Sequence, residues 1–565
     1  MYKGISENFV AKILSIGAAI TTIVIVSGSV TDPVNTPKFV AIGVVGFASI
    51  GAVLASGGFA YLRGYKMSLI GAGLFLTAML LSVFTSDSPL SQNVYGSYGR
   101  NNGLLTYVFL LSIFLSSLCL RAVRNFELVI KALIFGGLIN VIYCLWVIVF
   151  GDFIGWSNPY GNILGTFGNP NFIGSFLGIF FTAYVGYSLR KSSSKYLKLS
   201  LILVLPITAL EIYKSHAIQG RVVTAFGLGV LGFLVARARF GKLIGRGYIF
   251  ISVIVGTFAL LGALQIGPLA AFIYKTSVSL RGQYWLAGWN TGSSHPITGV
   301  GMDSFGDWYR RSRDIHALEL PGPNVVVNAA HNVPLDMFAF GGWPLLLSYL
   351  IIIGVAGLAA TRLVLRRISF DPILAILLTA WAGYQLQSII SINQIGLAVW
   401  GWLLSGLLIA YERATRDENP AMNPTATKIS SSKRDLEVQP RIILVSVAGS
   451  MIGLLMALPP LTADAKWRSA QLHQSLQELE ASMSPSYFNP QNSTKYLANI
   501  QALEGSNLFD LSHKYALEAI SWNPEAFELW KVIYLIKNST LEEKALALKN
   551  MNRLDPLNPD VISTQ

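Results

Sequence analysis

The chain alternates long apolar runs with short polar segments over most of its length. A helix needs about 20 apolar residues to cross a bilayer, within a range of roughly 17–25. About thirteen runs approach that length, which predicts an all-α polytopic membrane protein with about 12–13 transmembrane helices. The runs cover residues 13–30, 39–60, 69–84, 104–120, 128–150, 172–189, 199–212, 222–236, 248–266, 342–360, 372–392, 395–411 and 442–461.

The basic residues between these runs fall in alternate loops. They cluster in 63–66, 121–124, 190–198, 237–246 and 362–367, whereas 85–103, 151–171 and 391–394 carry few or none. Because cytoplasmic loops collect Lys and Arg, this alternation predicts a cytoplasmic N-terminus and an extracytoplasmic segment after residue 461.

This frame divides the chain into four parts. Residues 1–411 form the transmembrane body, with a large extracytoplasmic loop at 267–341. Residues 412–441, rich in Ser, Thr, Asn and Pro, are predicted to be a cytoplasmic linker. Residues 442–461 form an extra transmembrane helix, and 462–565 form an extracytoplasmic helical domain.

The C-terminal segment contains two similar stretches, 516–524 and 547–556, which end in Asn-Pro and Asp-Pro. Their spacing of some thirty residues is similar to that of tetratricopeptide repeats, whose period is about 34 residues. An unrelated small helical domain is the alternative. A protein partner that binds through 462–565 is a further expectation.

Composition agrees with the membrane prediction. Of 565 residues, 53% are hydrophobic and only 13% are charged, whereas soluble domains carry about 25% charged residues. A single soluble enzyme, a disordered scaffold and a disulfide-stapled module are therefore excluded. The net charge of +13 belongs mostly to the cytoplasmic loops, so a nucleic-acid partner is not expected. Cys119 and Cys144 lie in apolar runs and are interpreted as small hydrophobic residues.

Four residues stand out on the predicted extracytoplasmic face: Arg100, Arg221, Arg281 and His331. Taken singly, such an arginine usually reaches for lipid headgroups, and a single histidine is usually structural. The run of Arg310, Arg311 and Arg313 is interpreted as a solvated or headgroup-facing patch. The convergence of three arginines and a histidine beneath a long loop favours a functional site.

The chemistry of these residue types indicates an anionic, lipid-linked substrate. Arginine keeps its charge and matches phosphate oxygens with a planar fork, and a neutral histidine can take a proton from an attacking hydroxyl. The outer loops contain no Cys/His cluster, no His-Glu-x-x-His motif and no paired aspartates. We therefore expect neither a metal nor a cofactor.

Over roughly residues 97–411, this pattern resembles the O-antigen ligase and O-antigen polymerase superfamily of bacterial membrane glycosyltransferases. The resemblance rests on Gly-Thr-Phe-Gly-Asn-Pro-Asn-Phe at 165–172, on Arg281 with Trp285 and Pro-Ile-Thr-Gly-Val-Gly at 296–301, and on His-Asn-Val-Pro-Leu-Asp at 331–336.

The resemblance implies metal-independent transfer of a glycan from undecaprenyl diphosphate to an acceptor hydroxyl, outside the bacterial inner membrane. In the family an essential histidine matches His331, and arginines matching Arg221 and Arg281 engage the diphosphate. Arg100 fits a family-like Arg-x-x-Gly entry to a span. The supporting candidates in or beside these motifs are Asn169, Asn171, Asn332 and Asp336. The implied partners are the lipid-linked donor, membrane lipids, and an acceptor that is a lipid, a glycan or a protein.

Two other functions stay open at this point. One is a polysaccharide polymerase that joins lipid-linked repeat units, since donor handling is shared with the ligases. The other is a lipid or polysaccharide transporter, which would favour charges near the bilayer midplane or inverted repeats. A non-catalytic scaffold would leave the arginines and the histidine unexplained.

Overall fold

The structure, a computed structural model, describes residues 6–159, 161–190, 194–273, 276–367, 369–417 and 438–562. Within these ranges it consists of helices and loops, with one isolated bridge between Ser486 and Asn489. This confirms the all-α fold class.

In the part of the body that the structure describes, there are sixteen helices and two 3-10 turns, at Gly165–Phe167 and Ile315–Leu318, and a seventeenth helix follows. In order they are α1 (Glu7–Ile23), α2 (Asn35–Ala55), α3 (Gly58–Leu62), α4 (Lys66–Thr85), α5 (Leu90–Tyr95), α6 (Leu104–Ser117), α7 (Val123–Phe150), α8 (Pro170–Ser188), α9 (Lys195–Lys214), α10 (Ile218–Ala263), α11 (Ala270–Ile273), α12 (Thr276–Ser294), α13 (Phe305–Ser312), α14 (Val333–Arg366), α15 (Pro372–Ile390), α16 (Ile395–Asp417) and α17 (Pro440–His473).

Nine helices in the described ranges are long and apolar enough to cross a membrane. One of them, α10, contains two of the predicted runs. The runs in α1, α6 and α8 are not among the nine; α1 has 17 residues and α6 has 14. The chain is therefore a multi-pass membrane protein.

Helix α10 reverses direction at Gly241, whose φ of +88° and ψ of −179° are not helical. The rings of Phe233 and Tyr248 lie 6.4 Å apart, although fifteen residues of straight helix would separate them by about 22 Å. The two halves of α10 therefore lie side by side, as the two separate runs predicted.

Helix α14 is broken at Gly341 and Gly342. Gly342 has a φ of +63°, and a Cβ there would lie 2.3 Å from the Pro296 carbonyl oxygen. A side chain is excluded at this contact, because it would collide with backbone. The break separates a short helix at 333–340 from the long apolar helix that follows it.

Helix α16 forms the centre of the bundle and packs against α1, α6, α14 and α15. Its Trp402 ring contacts the rings of Phe75, Tyr107 and Tyr349. The loop before α16 carries Asn393, whose carbonyl accepts a hydrogen bond from Asn102 at 2.7 Å. The bundle core thus holds the loop that leads into α6.

The last membrane helix, α17, packs along α2 and continues to His473, beyond the predicted end of the span at residue 461. At its other side, α16 continues to Asp417 and α17 begins at Pro440, which shortens the predicted linker 412–441. Residues 418–437 of that linker lie outside the described residues.

The tail that follows is helical. It contains α18 (Leu476–Met483), α19 (Ser493–Gly505), α20 (Phe509–Trp522), α21 (Phe527–Leu535), α22 (Leu541–Leu554) and α23 (Pro559–Ile562). Helix α19 packs against α20, and α21 packs against α22. Its buried residues form a hydrophobic core separate from that of the body. Its identity as a tetratricopeptide array stays a prediction.

Candidate active site

His331 lies in a tight turn just before α14. Its φ of +56° is uncommon for a residue with a side chain. Asn332 caps α14 by accepting a hydrogen bond from the Leu335 amide at 3.1 Å. Asp336 Oδ1 accepts one from the Ala330 amide at 2.7 Å. These two hydrogen bonds fix the backbone on both sides of His331. Asn332 and Asp336 therefore hold the turn that positions the His331 side chain.

The imidazole ring has a defined orientation. Nδ1 lies 3.1 Å from the Ala329 carbonyl oxygen, which can only accept, so Nδ1 carries the proton and Nε2 carries the lone pair. The Tyr284 ring packs against the imidazole with centroids 5.1 Å apart, and Trp285 Nε1 donates to the His331 carbonyl at 3.4 Å. The site thus presents one basic nitrogen, Nε2.

The surroundings of His331 favour its neutral form. Burial lowers its pKa to about 4, the hydrogen bond with Ala329 opposes that change, and the charges of Arg100 and Arg281 lower the pKa further. At pH 7 the imidazole is therefore neutral. Tyr284, which packs on the imidazole, lies one helical turn after Arg281 on α12, so Arg281 and His331 are close together. The charge of Arg100 also acts on the imidazole.

Arg281 lies on α12 and is held by backbone carbonyls. Its Nε donates to Ile390 at 2.8 Å, and a terminal nitrogen donates to Ser277 at 2.9 Å. Burial lowers the pKa of Arg281, but a guanidinium keeps its charge at neutral pH. Both acceptors are neutral, so the positive charge of Arg281 is not cancelled by them.

Arg100 lies in the loop between α5 and α6, and Asp303 holds that loop. Asp303 Oδ2 accepts hydrogen bonds from the Ser97 amide at 2.8 Å, the Ser97 hydroxyl at 3.0 Å and the Asn102 amide at 3.1 Å. The charge of Arg100 acts on Asp303 and Asp336 as well as on His331. Arg100 therefore lies at the junction of its own loop with the loop that carries His331.

Asp303 is a further residue of the candidate site that was not predicted from the sequence. It is buried, and burial raises its pKa to about 6, against the effect of its hydrogen bonds with Ser97 and Asn102 and of the Arg100 charge. It follows a Gly-Val-Gly-Met stretch that is typical of a turn. An isolated aspartate after a glycine-rich turn gives no sign that it joins two loops 200 residues apart.

Arg221 lies at the start of α10 with an exposed side chain, and its guanidinium carbon lies 5.7 Å from the Tyr213 ring centroid. Gln219, two residues earlier, donates at 3.2 Å to the Ile390 carbonyl, which also accepts from Arg281. The start of α10 and helix α12 therefore meet at Ile390. Arg221 lies two residues after Gln219, and therefore faces away from this contact toward Tyr213.

Asn169 and Asn171 take part in the turn that begins α8. Asn169 is the N-cap, and its side chain accepts a hydrogen bond from the Asn171 amide at 2.9 Å. Within the same motif, the Thr166 hydroxyl donates to the Thr22 carbonyl at 2.8 Å. These contacts give the motif a structural role at the start of α8.

The interpretation of Arg310, Arg311 and Arg313 as a solvated or headgroup-facing patch is wrong. Arg313 donates to both carboxylate oxygens of Asp555 at 2.9 Å, and the side chains of both residues are fully buried. Arg310 pairs with Asp555 at 2.9 Å and with Glu528 at 2.5 Å.

The third arginine of that run, Arg311, pairs with Glu525 at 2.6 Å and stacks on Trp308, with 3.8 Å to the ring centroid. All three of these partner carboxylates belong to the C-terminal tail. These carboxylates, which are more than 200 residues away along the chain, neutralise the charge of the three arginines. The ion pairs therefore hold the tail against α13.

The comparison with known families identifies one segment. Residues 214–350 match the family model described as O-antigen ligase, and no curated protein matches the chain. The matched segment contains Arg221, Arg281 and His331, whereas Arg100 precedes it and the tail follows it. The match confirms the resemblance and supports a glycosyltransferase of the ligase or polymerase kind.

Proposed function

We propose that this chain, whose residues 214–350 match the family model described as O-antigen ligase, transfers a glycan from undecaprenyl diphosphate to an acceptor hydroxyl. The reaction takes place at the extracytoplasmic face of the bacterial inner membrane. The observation that carries the proposal is His331, whose Nε2 lone pair is held beside the charges of Arg100 and Arg281.

In this reaction the arginines bind the diphosphate. Arg281 keeps a charge that its two carbonyl acceptors do not cancel, Arg100 lies in the loop before α6, and Arg221 lies at the start of α10. Guanidinium groups bind phosphate oxygens with charge-assisted hydrogen bonds and need no deprotonation. We therefore propose that arginines, rather than a metal ion, stabilise the leaving diphosphate.

The bond changes form a single displacement. The acceptor oxygen forms a bond to the anomeric carbon while the bond from that carbon to the diphosphate oxygen breaks. The acceptor proton passes to Nε2 of His331, and the electron pair of the broken bond stays on the diphosphate. One displacement inverts the anomeric centre.

The arginines also connect donor binding to the strength of the base. In the absence of donor, burial and two positive charges keep the pKa of His331 at about 4, which makes it a weak base. A bound diphosphate places negative charge beside Arg100 and Arg281, and nearby negative charge raises a histidine pKa. His331 therefore becomes a stronger base when the donor is in place.

The test is transfer by the purified full-length protein in proteoliposomes that contain an undecaprenyl-diphosphate-linked glycan. We expect loss of lipid-linked glycan, appearance of free undecaprenyl diphosphate and an inverted linkage in the product. Activity should persist in EDTA. If no glycan is released from the lipid carrier with any of the acceptors added to the assay, the proposal is wrong.

Mass spectrometry of the glycoconjugates that disappear from cells lacking the protein identifies the acceptor. A single glycan chain on a lipid or a protein indicates a ligase. Shortened polysaccharides with accumulated lipid-linked repeat units indicate a polymerase.

A further inference from the structure

A groove of about 980 Å³ lies between the tail and the body. One wall is α5, with Ser91 and Tyr95, and the other is formed by α20 and the segment that leads into α19. Binding pockets for small molecules measure about 300–1,000 Å³, so the groove has room for a ligand of several sugar units. It exists only because the tail is docked on the body.

The two walls are joined by buried contacts. Asp307 Oδ2 accepts a hydrogen bond from Gln92 on α5 at 2.9 Å and one from Asn523, which follows α20, at 3.1 Å. Tyr487 of the tail, which lines the groove with Tyr95, donates a hydrogen bond to the Leu455 carbonyl on α17 at 2.9 Å. The width of the groove is therefore set by specific side chains.

The lining of the groove fits a saccharide. Tyr95, Tyr496 and Trp522 present aromatic rings, and Glu518 and Gln491 present polar groups. Sugars offer apolar C–H faces that pack on rings and hydroxyls that hydrogen-bond with carboxylates and amides. The described lining contains no Lys or Arg, so a diphosphate is not its natural ligand.

A small cavity of about 30 Å³ adjoins the groove on the side of the loop that carries Arg100. It shares Ser91, Tyr95 and Gln491 with the groove and is also lined by Asn101, the residue after Arg100. Three buried oxygens on these residues have no hydrogen-bond partner among the described residues: Ser91 Oγ, Asn101 Oδ1 and Gln491 Oε1. Each can accept a hydrogen bond, and unsatisfied buried acceptors are costly. The small cavity has room for a water-sized group, so a hydroxyl group of a glycan lying in the groove would satisfy these acceptors without a sugar ring entering the cavity.

We propose that this groove binds the saccharide chain of the lipid-linked donor. The sugar units lie in the groove between α5 and the tail, with hydroxyl groups directed at Ser91 and Gln491, and the diphosphate lies on the side of Arg100. This inference rests on the proposed function and gives the tail a direct part in holding substrate.

The test uses the full-length protein in nanodiscs with His331→Ala, so that no turnover occurs. The probe is the free oligosaccharide released by mild acid from the lipid-linked glycans of the host. Ser521 is an exposed groove residue on α20, and Ser521→Trp fills the groove. Ser506, also exposed and at the end of α19 outside the groove lining, gives the matched control Ser506→Trp.

We expect Ser521→Trp to weaken oligosaccharide binding tenfold or more and Ser506→Trp to leave it unchanged. Equal binding by both variants, or no oligosaccharide binding by the parent protein, overturns the proposal. So does an equal loss of affinity for undecaprenyl diphosphate without sugar, because the groove would then hold lipid. Oligosaccharide binding in the groove without any transfer by the wild-type protein would instead refute the proposed function alone.

Discussion

Two groups of arginines lie on the same side of this molecule and differ in what they contact. Arg281 donates to the neutral carbonyls of Ile390 and Ser277. Arg310 and Arg313 donate to carboxylates of the tail, and their side chains are almost completely buried. Hydrogen bonds to carbonyls orient the guanidinium and leave its positive charge uncompensated, whereas ion pairs with carboxylates neutralise that charge.

The partners of an arginine, more than its position, decide what it does. A guanidinium held by carbonyls can still attract a diphosphate. One paired with a buried carboxylate contributes to association between parts of the chain, and removing one partner leaves an uncompensated charge. Substitutions in one group of arginines, compared with substitutions in the other, test this distinction.

The largest effect is expected from His331→Gln, which removes the basic nitrogen of the site. Loss of a general base lowers turnover by about 10²–10⁴-fold. We expect that loss in kcat for glycan transfer, while the unfolding midpoint and the docking of the tail stay unchanged. His216 is exposed on a neighbouring segment, and His216→Gln is the matched control. Equal activity of the two variants would remove His331 from the chemistry.

The second effect concerns the arginines that pair with carboxylates of the tail, which we call the docking group: Arg310, Arg311 and Arg313. Asp555→Ala leaves the fully buried Arg313 without its carboxylate, and breaking a buried pair in this way costs about 3–5 kcal/mol. We expect a lower thermal midpoint and faster proteolytic release of the tail. A double change to Leu at positions 313 and 555 should recover part of that stability, since apolar replacement of a buried pair is often neutral, whereas Arg310 still loses Asp555 as a partner.

The control is Glu542→Ala at an exposed carboxylate of the same domain, where surface changes stay within about 0.5 kcal/mol. If Asp555→Ala is no more destabilising than this control, the ion pairs on α13 do not hold the tail.

A smaller effect should separate the two groups directly. Arg281→Lys keeps the charge but loses the planar fork. A charge-assisted hydrogen bond contributes about 1.5–3 kcal/mol, so we expect kcat/KM for the donor to fall about 10–100-fold. Arg311→Lys, in the docking group, should leave kcat/KM unchanged. Steady-state kinetics in proteoliposomes measure both, and equal losses would show that the two groups are not distinct.

The sequence predicted the membrane body well because a bilayer imposes one strong local rule. Every predicted run overlaps a helix, including 222–236 and 248–266, which lie on either side of the reversal at Gly241. The ends of helices were predicted less well. Helix α17 continues past residue 461 to His473, where contacts with the tail and with the loop before α2 support it.

The candidate site shows where local patterns stop being sufficient. Arg281 and His331 both lie in motifs of the matched segment 214–350, so their proximity could be expected. Arg313 and Asp555 are 242 residues apart, and nothing near either residue identifies the other. Asp303 organises the Arg100 loop through contacts of the same long range. Long-range pairing of charges decides roles here, and a single sequence does not encode it locally.

The smallest effect is a shift in pH dependence, and it tests whether the site arginines act on His331 at all. The neutral imidazole is the active form, and burial followed by the charges of Arg100 and Arg281 lowers its pKa to about 4. Activity is therefore lost as pH falls through that pKa. The acid limb of kcat/KM reports the free enzyme, and that of kcat reports the donor complex.

Because a bound diphosphate offsets the arginine charges, the acid limb of kcat should lie at higher pH than that of kcat/KM. Arg281→Gln removes one positive charge and should move the kcat/KM limb upward, by about one unit or less. Arg311→Gln, whose charge is already cancelled by Glu525, should not move it. Coincident limbs, together with no response to Arg281→Gln, would mean that burial alone sets the pKa of His331 and that the donor does not tune the base.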